Sequence, residues 1–175
     1  MSIYTPEFFA GRGETVNASA AVVAPIVKRL LSPMSLLDVG CGQGEWMKAF
    51  SLPTMVGVDI AAPEGEQFIQ HDLTVPLDLG RTFDLVLCLE VGEHLPEESA
   101  ETLIATLVCH GDQILFSAAV PGQEGKGHIN CQPHEYWHEI FEDYGFVTYD
   151  AIRPQIAGDS RVSWWYAENI FLYSR

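Results

Sequence analysis

Three glycines on alternate positions, placed where an apolar run gives way to an amphipathic one, constrain this chain more than any other feature: Leu36-Leu37-Asp38-Val39-Gly40-Cys41-Gly42-Gln43-Gly44-Glu45-Trp46. SLLDVG (35 to 40) reads as a short buried strand and EWMKAF (45 to 50) as the start of a helix. Glycine lets the backbone turn sharply between them and lets a ligand approach without meeting a β-carbon. A strand that feeds a helix through such a turn is the unit of a parallel sheet covered by helices.

The rest of the chain repeats that alternation. NASAAVVAPIVKRLL (17 to 31) predicts a helix capped by Asn17 or Ser19 and broken or restarted at Pro25. MVGVDI (55 to 60) predicts a strand, FIQHDL (68 to 73) a short one, and RTFDLVLCLE (81 to 90) a strand covered on both faces. A helix follows at 97 to 109, then the strand QILFSAAV (113 to 120) and a glycine-rich loop (121 to 132). PHEYWHEIFEDYG predicts a helix stopped by Gly145, and FVTYDAI and ENIFLYSR two last strands that pair antiparallel for want of a clear helix between them. The expected fold is α/β, a Rossmann-like three-layer sandwich with a mostly parallel sheet of about seven strands whose last strand is antiparallel. At 175 residues this is one domain, 1–175, with an N-terminal lid or helix region at 1–31, binding motifs at 35–96 and an acceptor side at 113–175.

Composition narrows the partners. Nine Lys and Arg against 24 Asp and Glu leave a net charge of −15, and the cations form no patch. Such a surface repels phosphate backbones and anionic bilayers, so neither nucleic acid nor membrane is expected as a partner. Cys41, Cys88, Cys109 and Cys131 contain no CxxC pair, and MSIYTPEFF lacks a basic start and an apolar run. The expectation is reduced thiols in a cytoplasmic protein of unspecified oligomeric state.

In open sheets of this class ligands bind beyond the carboxyl ends of the strands, at the point where strand order reverses. Asp59 closes its strand 19 residues after Gly40, placed to accept hydrogen bonds from both hydroxyls of a ribose, and Asp72 follows the next strand, placed to hold an adenine edge. Glycine loop, acid and acid together suggest an adenosine-containing cofactor. A dinucleotide fingerprint, GxGxxG, would need glycine where Glu45 stands, and that carboxylate would repel a pyrophosphate. Asp38 is placed to meet a positive charge. S-adenosylmethionine (SAM), which carries adenosine, no phosphate, and a cationic sulfonium and ammonium, meets these demands.

LLDVGCGQGEW, GVDI, HDL and FDLVLCLEVGEHLP resemble, in order and spacing, the motifs of class I SAM-dependent methyltransferases. HLPEESA, LFSAAVPGQEGKGHINCQPHEYW and RVSWWYAEN are further similar to a bacterial subgroup of small methyltransferases, departing from it at Cys131 and Pro133-His134. The resemblance implies the fold, SAM as cofactor and methyl transfer, with Gly40, Gly42 and Gly44 at the methionine end, Asp59 on the ribose and Asp72 near the adenine. Asp38, Ile60, Leu73 and Glu90 complete the expected cofactor set. Some members of the subgroup are associated with glycan or natural-product pathways.

Methyl transfer from a sulfonium is an in-line displacement that positioning and desolvation largely drive, and a base beside an acceptor hydroxyl helps further. His128, in the loop after strand 113 to 120, is the first candidate base, and His94, in EVGEHLP, the second. Of Glu90 and Glu93, one is expected to face the cofactor and the other solvent. His71 and His110 are expected at the surface. His128, Cys131, His134 and His138 form HxxCxxHxxxH, but with no matching metal signature and the last pair inside an ordinary amphipathic helix, no metal site is expected. Tyr4, Trp165 and Tyr166 are the expected acceptor wall. The favoured reading is O-methylation of a small molecule. N- or carboxyl methylation, a non-catalytic SAM-binding or partner-binding module, and an NAD-dependent oxidoreductase are the alternatives.

Overall fold

A computed structural model describes residues 13–175, so Tyr4 lies outside the described residues. The elements run α1 (Gly13–Leu31), β1 (Ser35–Val39), α2 (Glu45–Phe50), β2 (Thr54–Asp59), β3 (Phe68–Gln70), β4 (Leu85–Leu89), α3 (Ala100–His110), β5 (Gln113–Ser117), α4 (His134–Asp143), β6 (Val147–Tyr149), α5 (Arg153–Ile156), α6 (Trp164–Asn169) and β7 (Phe171–Ser174). They build a seven-stranded sheet in the order β3-β2-β1-β4-β5-β7-β6. All pairings are parallel except those of β7, which runs antiparallel to both β5 and β6.

The central strands β1, β4 and β5 are buried along nearly their whole length because both faces of the sheet are covered there. Successive side chains alternate between two cores: Leu85, Leu87 and Leu89 of β4 pack with Val23, Val27, Met47 and Phe50 of α1 and α2. Val86 and Cys88 of the same strand pack with Leu103, Leu107, Trp137 and Phe141 of α3 and α4.

Pro25 does not break α1, which runs unbroken to Leu31. Proline removes one helical amide, and here both Pro25 and Ala21, whose carbonyl loses its partner, lie on the solvent face, where water replaces the bond. The final strands are also shorter than their apolar patterns suggest, since α5 and α6 occupy the connection between them.

Strand order reverses between β1, which continues to β2 and β3, and β4, which continues to β5. Asp38 pairs in register with Leu87, so the carboxyl ends of these two strands lie side by side. Gly40 and Glu90 leave the sheet there.

Candidate active site

The chain leaves β1 through Gly40, Gly42 and Gly44 at φ of 79°, 52° and 78°. A residue with a β-carbon pays about 1–2 kcal/mol in this left-handed region, and at Gly40 that carbon would also collide with Val91. The loop is tied down by its neighbours: the amides of Gly40 and Cys41 donate to the Val58 carbonyl at 2.7 and 3.0 Å. The Gly42 amide donates to Asp59 Oδ2 at 3.0 Å, while Asp59 Oδ1 accepts from the Ala61 amide at 2.8 Å. Asp59 thus clasps the glycine loop to the end of β2. A carboxylate offers about four acceptor positions, so the clasp leaves lone pairs for a ligand.

Asp38 is 2% exposed, and its Oδ2 has no hydrogen-bond partner among the described residues. Burial, then the nearby charges of Asp59 and Glu45, push its carboxyl up to about 8. A neutral acid that a cation would ionise is therefore built in beneath a loop with no side chain at three positions, and this fits a sulfonium nucleoside. Further out, Ile60 is 47% exposed. Asp72 lies at the surface, where the amide and hydroxyl of Thr74 bond its Oδ1 at 2.9 and 2.8 Å and hold its carboxyl below the usual range. Leu73 packs its side chain in the core, so only its main chain could meet a ligand.

On the opposite side of the cleft, Glu90 follows β4 at φ 57°, a conformation that costs of order 1–3 kcal/mol in a non-glycine residue and clusters at functional sites. Its amide donates to the carbonyl of Ser117 at 2.9 Å and approaches the Ser117 hydroxyl at 3.1 Å, fixing the turn to β5. Glu90 Oε2 accepts from Gln123 at 3.0 Å, Gln123 Oε1 accepts from Asn169 at 2.9 Å, and Asn169 Oδ1 lies 3.2 Å from His134 Nε2. The loop 121–132 is docked a second time when the amides of Ile129 and Asn130 donate to the Glu93 carbonyl at 2.9 and 3.1 Å. This brings His128 onto the turn after β4, 4.0 Å from Glu93, with its ring 4.9 Å from that of His94.

Two adjoining cavities share Val16, Glu90 and Tyr166 in their walls. One, of about 100 Å³, lies against Gly40, Cys41, Gly42 and Trp46. The other, of about 370 Å³, is lined by Glu93, Gln123, His128, Trp164 and Trp165 besides the shared residues. Burial pushes the Tyr166 phenol well above its ordinary value, so it acts as a neutral group.

Neither Glu90 nor Glu93 faces solvent as expected of one of them: Glu93 is fully buried, and burial raises the Glu90 carboxyl. His110 is also fully buried, because its Nδ1 lies 2.6 Å from the Thr106 carbonyl and its Nε2 accepts from the Leu79 amide at 2.9 Å, pinning the β3–β4 connection to α3. His71 sits in its turn, 3.1 Å from the Val75 carbonyl. HxxCxxHxxxH does not converge: His128 and Cys131 stay together at 3.7 Å, while His134 turns to Asn169 and His138 to the Tyr173 hydroxyl at 2.7 Å. Gln123 and Asn169 escaped the sequence reading. An amide side chain carries no periodicity or ligand spacing, and their partnership at the adjoining ends of β5 and β7 appears only when the chain is folded.

A model of the family described as methyltransferase domain matches residues 15–111. No curated protein matches the chain. Among solved structures it is similar to the sugar N-methyltransferase KedS8 from Streptoalloteichus sp ATCC 53650, with a TM-score of 0.68 and 18% identity over 100% of this chain and 96% of that one. It is also similar to the SAM-bound magnesium protoporphyrin IX methyltransferase from Synechocystis PCC 6803, with a TM-score of 0.63 and 22% identity over 100% and 85%. The plantazolicin methyltransferase BpumL, in complex with a triazolic desmethylPZN analog and S-adenosylhomocysteine (SAH), aligns with a TM-score of 0.62 and 14% identity over 98% and 90%. These likenesses speak to the fold. With the family model spanning more than half its length over the very loop and acids that fit a sulfonium nucleoside, the chain belongs to the methyltransferase-domain family and is a class I SAM-dependent methyltransferase.

Proposed function

We propose that the enzyme methylates a hydroxyl of a small molecule held in the 370 Å³ cavity between Glu93, His128 and Trp165. The observation that supports this reading is the wall shared by that cavity and the one at the glycine loop, to which we assign the methionine end of the cofactor. SAM supplies the transferable methyl group. The chain's own residues bind, orient and dry. Gly40, Gly42 and Gly44 admit the methionine portion, Asp38 answers its positive charge, Asp59 holds the ribose, and Asp72, with Ile60 and Leu73, borders the adenine. Glu90 and Tyr166 divide the two spaces. Trp165, with Trp164 beside it, shields the acceptor from water.

His128 is the group we assign to receive the acceptor's proton, with His94 as the second candidate. Its Nδ1 lies 3.0 Å from the Gln123 carbonyl, which favours the tautomer whose Nε2 is the acceptor. We read residues 35–96 as the cofactor half and 113–175 as the acceptor half of one cytoplasmic domain acting in glycan or natural-product metabolism. The carboxylates of Glu90, Glu93 and Glu124 around the cavity favour a neutral or cationic acceptor over an anionic one, which leaves N-methylation as the second reading and sets carboxyl methylation aside.

The test is release of SAH from SAM across a panel of sugar and phenolic hydroxyls, amino sugars and carboxylic acids. Turnover on hydroxyls supports the assignment, turnover on amines alone replaces it by the second reading, and turnover on acids alone overturns both.

A further inference from the structure

We propose that Glu93, His94 and His128 form a binding site for a divalent transition-metal cation at the floor of the acceptor cavity. One ligand atom from each residue lies within 4.8 Å of the other two. The set is one carboxylate and two imidazoles, a donor combination that suits Mn²⁺, Fe²⁺, Co²⁺ or Zn²⁺ rather than the all-oxygen preference of Ca²⁺ or Mg²⁺.

Three features go beyond proximity. First, each histidine has its Nδ1 against a main-chain carbonyl, His94 at 3.2 Å from Gly127 and His128 at 3.0 Å from Gln123. This arrangement fixes the ring and selects Nε2 as the lone-pair nitrogen, as the supporting bonds of metal-bound histidines do. Second, the separation of His128 Nε2 and Glu93 Oε1, 4.0 Å, is too long for a hydrogen bond. Two donors each about 2.0–2.2 Å from one ion stand about 3–3.5 Å apart, so closure needs side-chain shifts of about an ångström.

Third, the cluster is both rigid and reachable. The Glu93 carbonyl holds the loop through Ile129 and Asn130, and a side chain at Gly125 would collide with the His128 ring, so the loop is shaped around that imidazole. The carboxylate is fully buried, so its oxygens are held by the fold and not by bulk water. His128 borders both the acceptor cavity and an open hollow of about 670 Å³ lined by Gly122, Gly125 and Cys131, which gives an ion a path in and leaves room for an acceptor oxygen as a further ligand. With an ion bound, His128 Nε2 is a ligand, so the proton-accepting role given to it above belongs to the ion-free protein; the ion's role toward the acceptor rests on the function proposed above, and the site itself does not.

The experiment titrates chelator-treated, full-length protein with Co²⁺, followed by its visible absorption and by calorimetry, with SAH binding measured on the same samples. Expected are a single Co²⁺ per chain with a spectrum showing nitrogen ligation, and a loss of affinity of about 100-fold or more in His128→Ala and in His94→Ala, beyond the roughly 10- to 100-fold that removal of a supporting group produces. Glu93→Gln should behave alike, and the two histidine variants decide the matter if that buried change prevents folding. SAH affinity should stay within about threefold in each, and His71→Ala should bind Co²⁺ as the parent does. Protein that binds SAH but takes up no Co²⁺, or whose uptake survives both histidine variants, overturns the site. Uptake that depends on these residues in a protein inert toward every acceptor would support the cation site and count against the acceptor reading alone.

Discussion

His128 Nε2 lies 4.0 Å from Glu93 Oε1, with the histidine side chain 9% exposed and the carboxylate fully buried. The pair comes together because two loops that leave adjacent strands, β4 and β5, are hydrogen-bonded to each other through the Glu93 carbonyl. His128→Ala is expected to lower kcat by about 10²-fold or more at saturating acceptor, the usual contribution of a positioned proton acceptor, while SAH affinity by calorimetry is unchanged. A fall in SAH affinity of similar size would place His128 on the cofactor instead.

The loop that carries His128 depends on Gly125. Gly125→Ala should displace the imidazole and reproduce much of the His128→Ala loss, whereas Gly122→Ala, where a β-carbon meets nothing within 4 Å, should cost only the backbone strain of its φ of 90°. Steady-state kinetics on the two variants, alongside their melting temperatures, separates displacement of the ring from general loosening of the loop.

Asp38 makes the ligand-free protein pH-sensitive. Its carboxyl titrates near 3.8 when unfolded and is pushed up to about 8 in the fold, so between these values the folded chain holds a proton that the unfolded chain has lost. Stability from this group is therefore full below about 4 and is lost as pH rises through about 8. Thermal melts should show Asp38→Asn with a flatter decline across that range than the parent. The cofactor's positive charge favours the ionised acid, so SAM affinity should rise with pH toward 8 in the parent and lose that dependence in Asp38→Asn.

Asp59 joins two tasks that substitutions can part. Asp59→Asn keeps a side-chain oxygen for the Gly42 or the Ala61 amide, while Asp59→Ala removes both bonds. Asp59→Ala should weaken SAM binding by about tenfold or more, since hydrogen bonds to a charged group are worth about 1.5–3 kcal/mol, and should raise proteolytic nicking within 40–44 because the clasp is gone. Equal SAM affinity in the parent and Asp59→Ala would remove Asp59 from the site.

Trp165 and Tyr166 both line the 370 Å³ cavity proposed to take the acceptor, but only Tyr166 also borders the glycine loop, where its ring packs edge-on against Trp46 at 5.2 Å. Trp165→Ala is expected to raise acceptor KM several-fold with SAH affinity intact, and Tyr166→Phe to leave both within about twofold because the phenol acts as a neutral group. Unchanged acceptor KM in Trp165→Ala would move the acceptor wall elsewhere.

Local chemistry in the sequence sufficed for the presence of the strands and for the glycine turn after β1. The apolar run ending in Gly40 and the helix beginning at Glu45 are short-range patterns, and β1 and α2 occupy those spans. Where a residue's fate depended on distant partners, short-range reading failed. Pro25 stayed helical because its face met solvent, His110 was buried because Leu79 and Thr106 took both its nitrogens, and Glu93 was enclosed because loop 121–132 closed over it.

The sequence by itself determined the order of the elements from the first helix through β5 and the glycine turn after β1, because backbone freedom at glycine and side-chain periodicity act over a few residues. The tertiary structure alone decided that Glu93, His94 and His128 meet, that Gln123 and Asn169 bridge Glu90 to α6, and that the HxxCxxHxxxH histidines part. Those outcomes follow from docking of loops on neighbouring strand ends, a relation set by sheet order and main-chain hydrogen bonds between segments far apart in the chain.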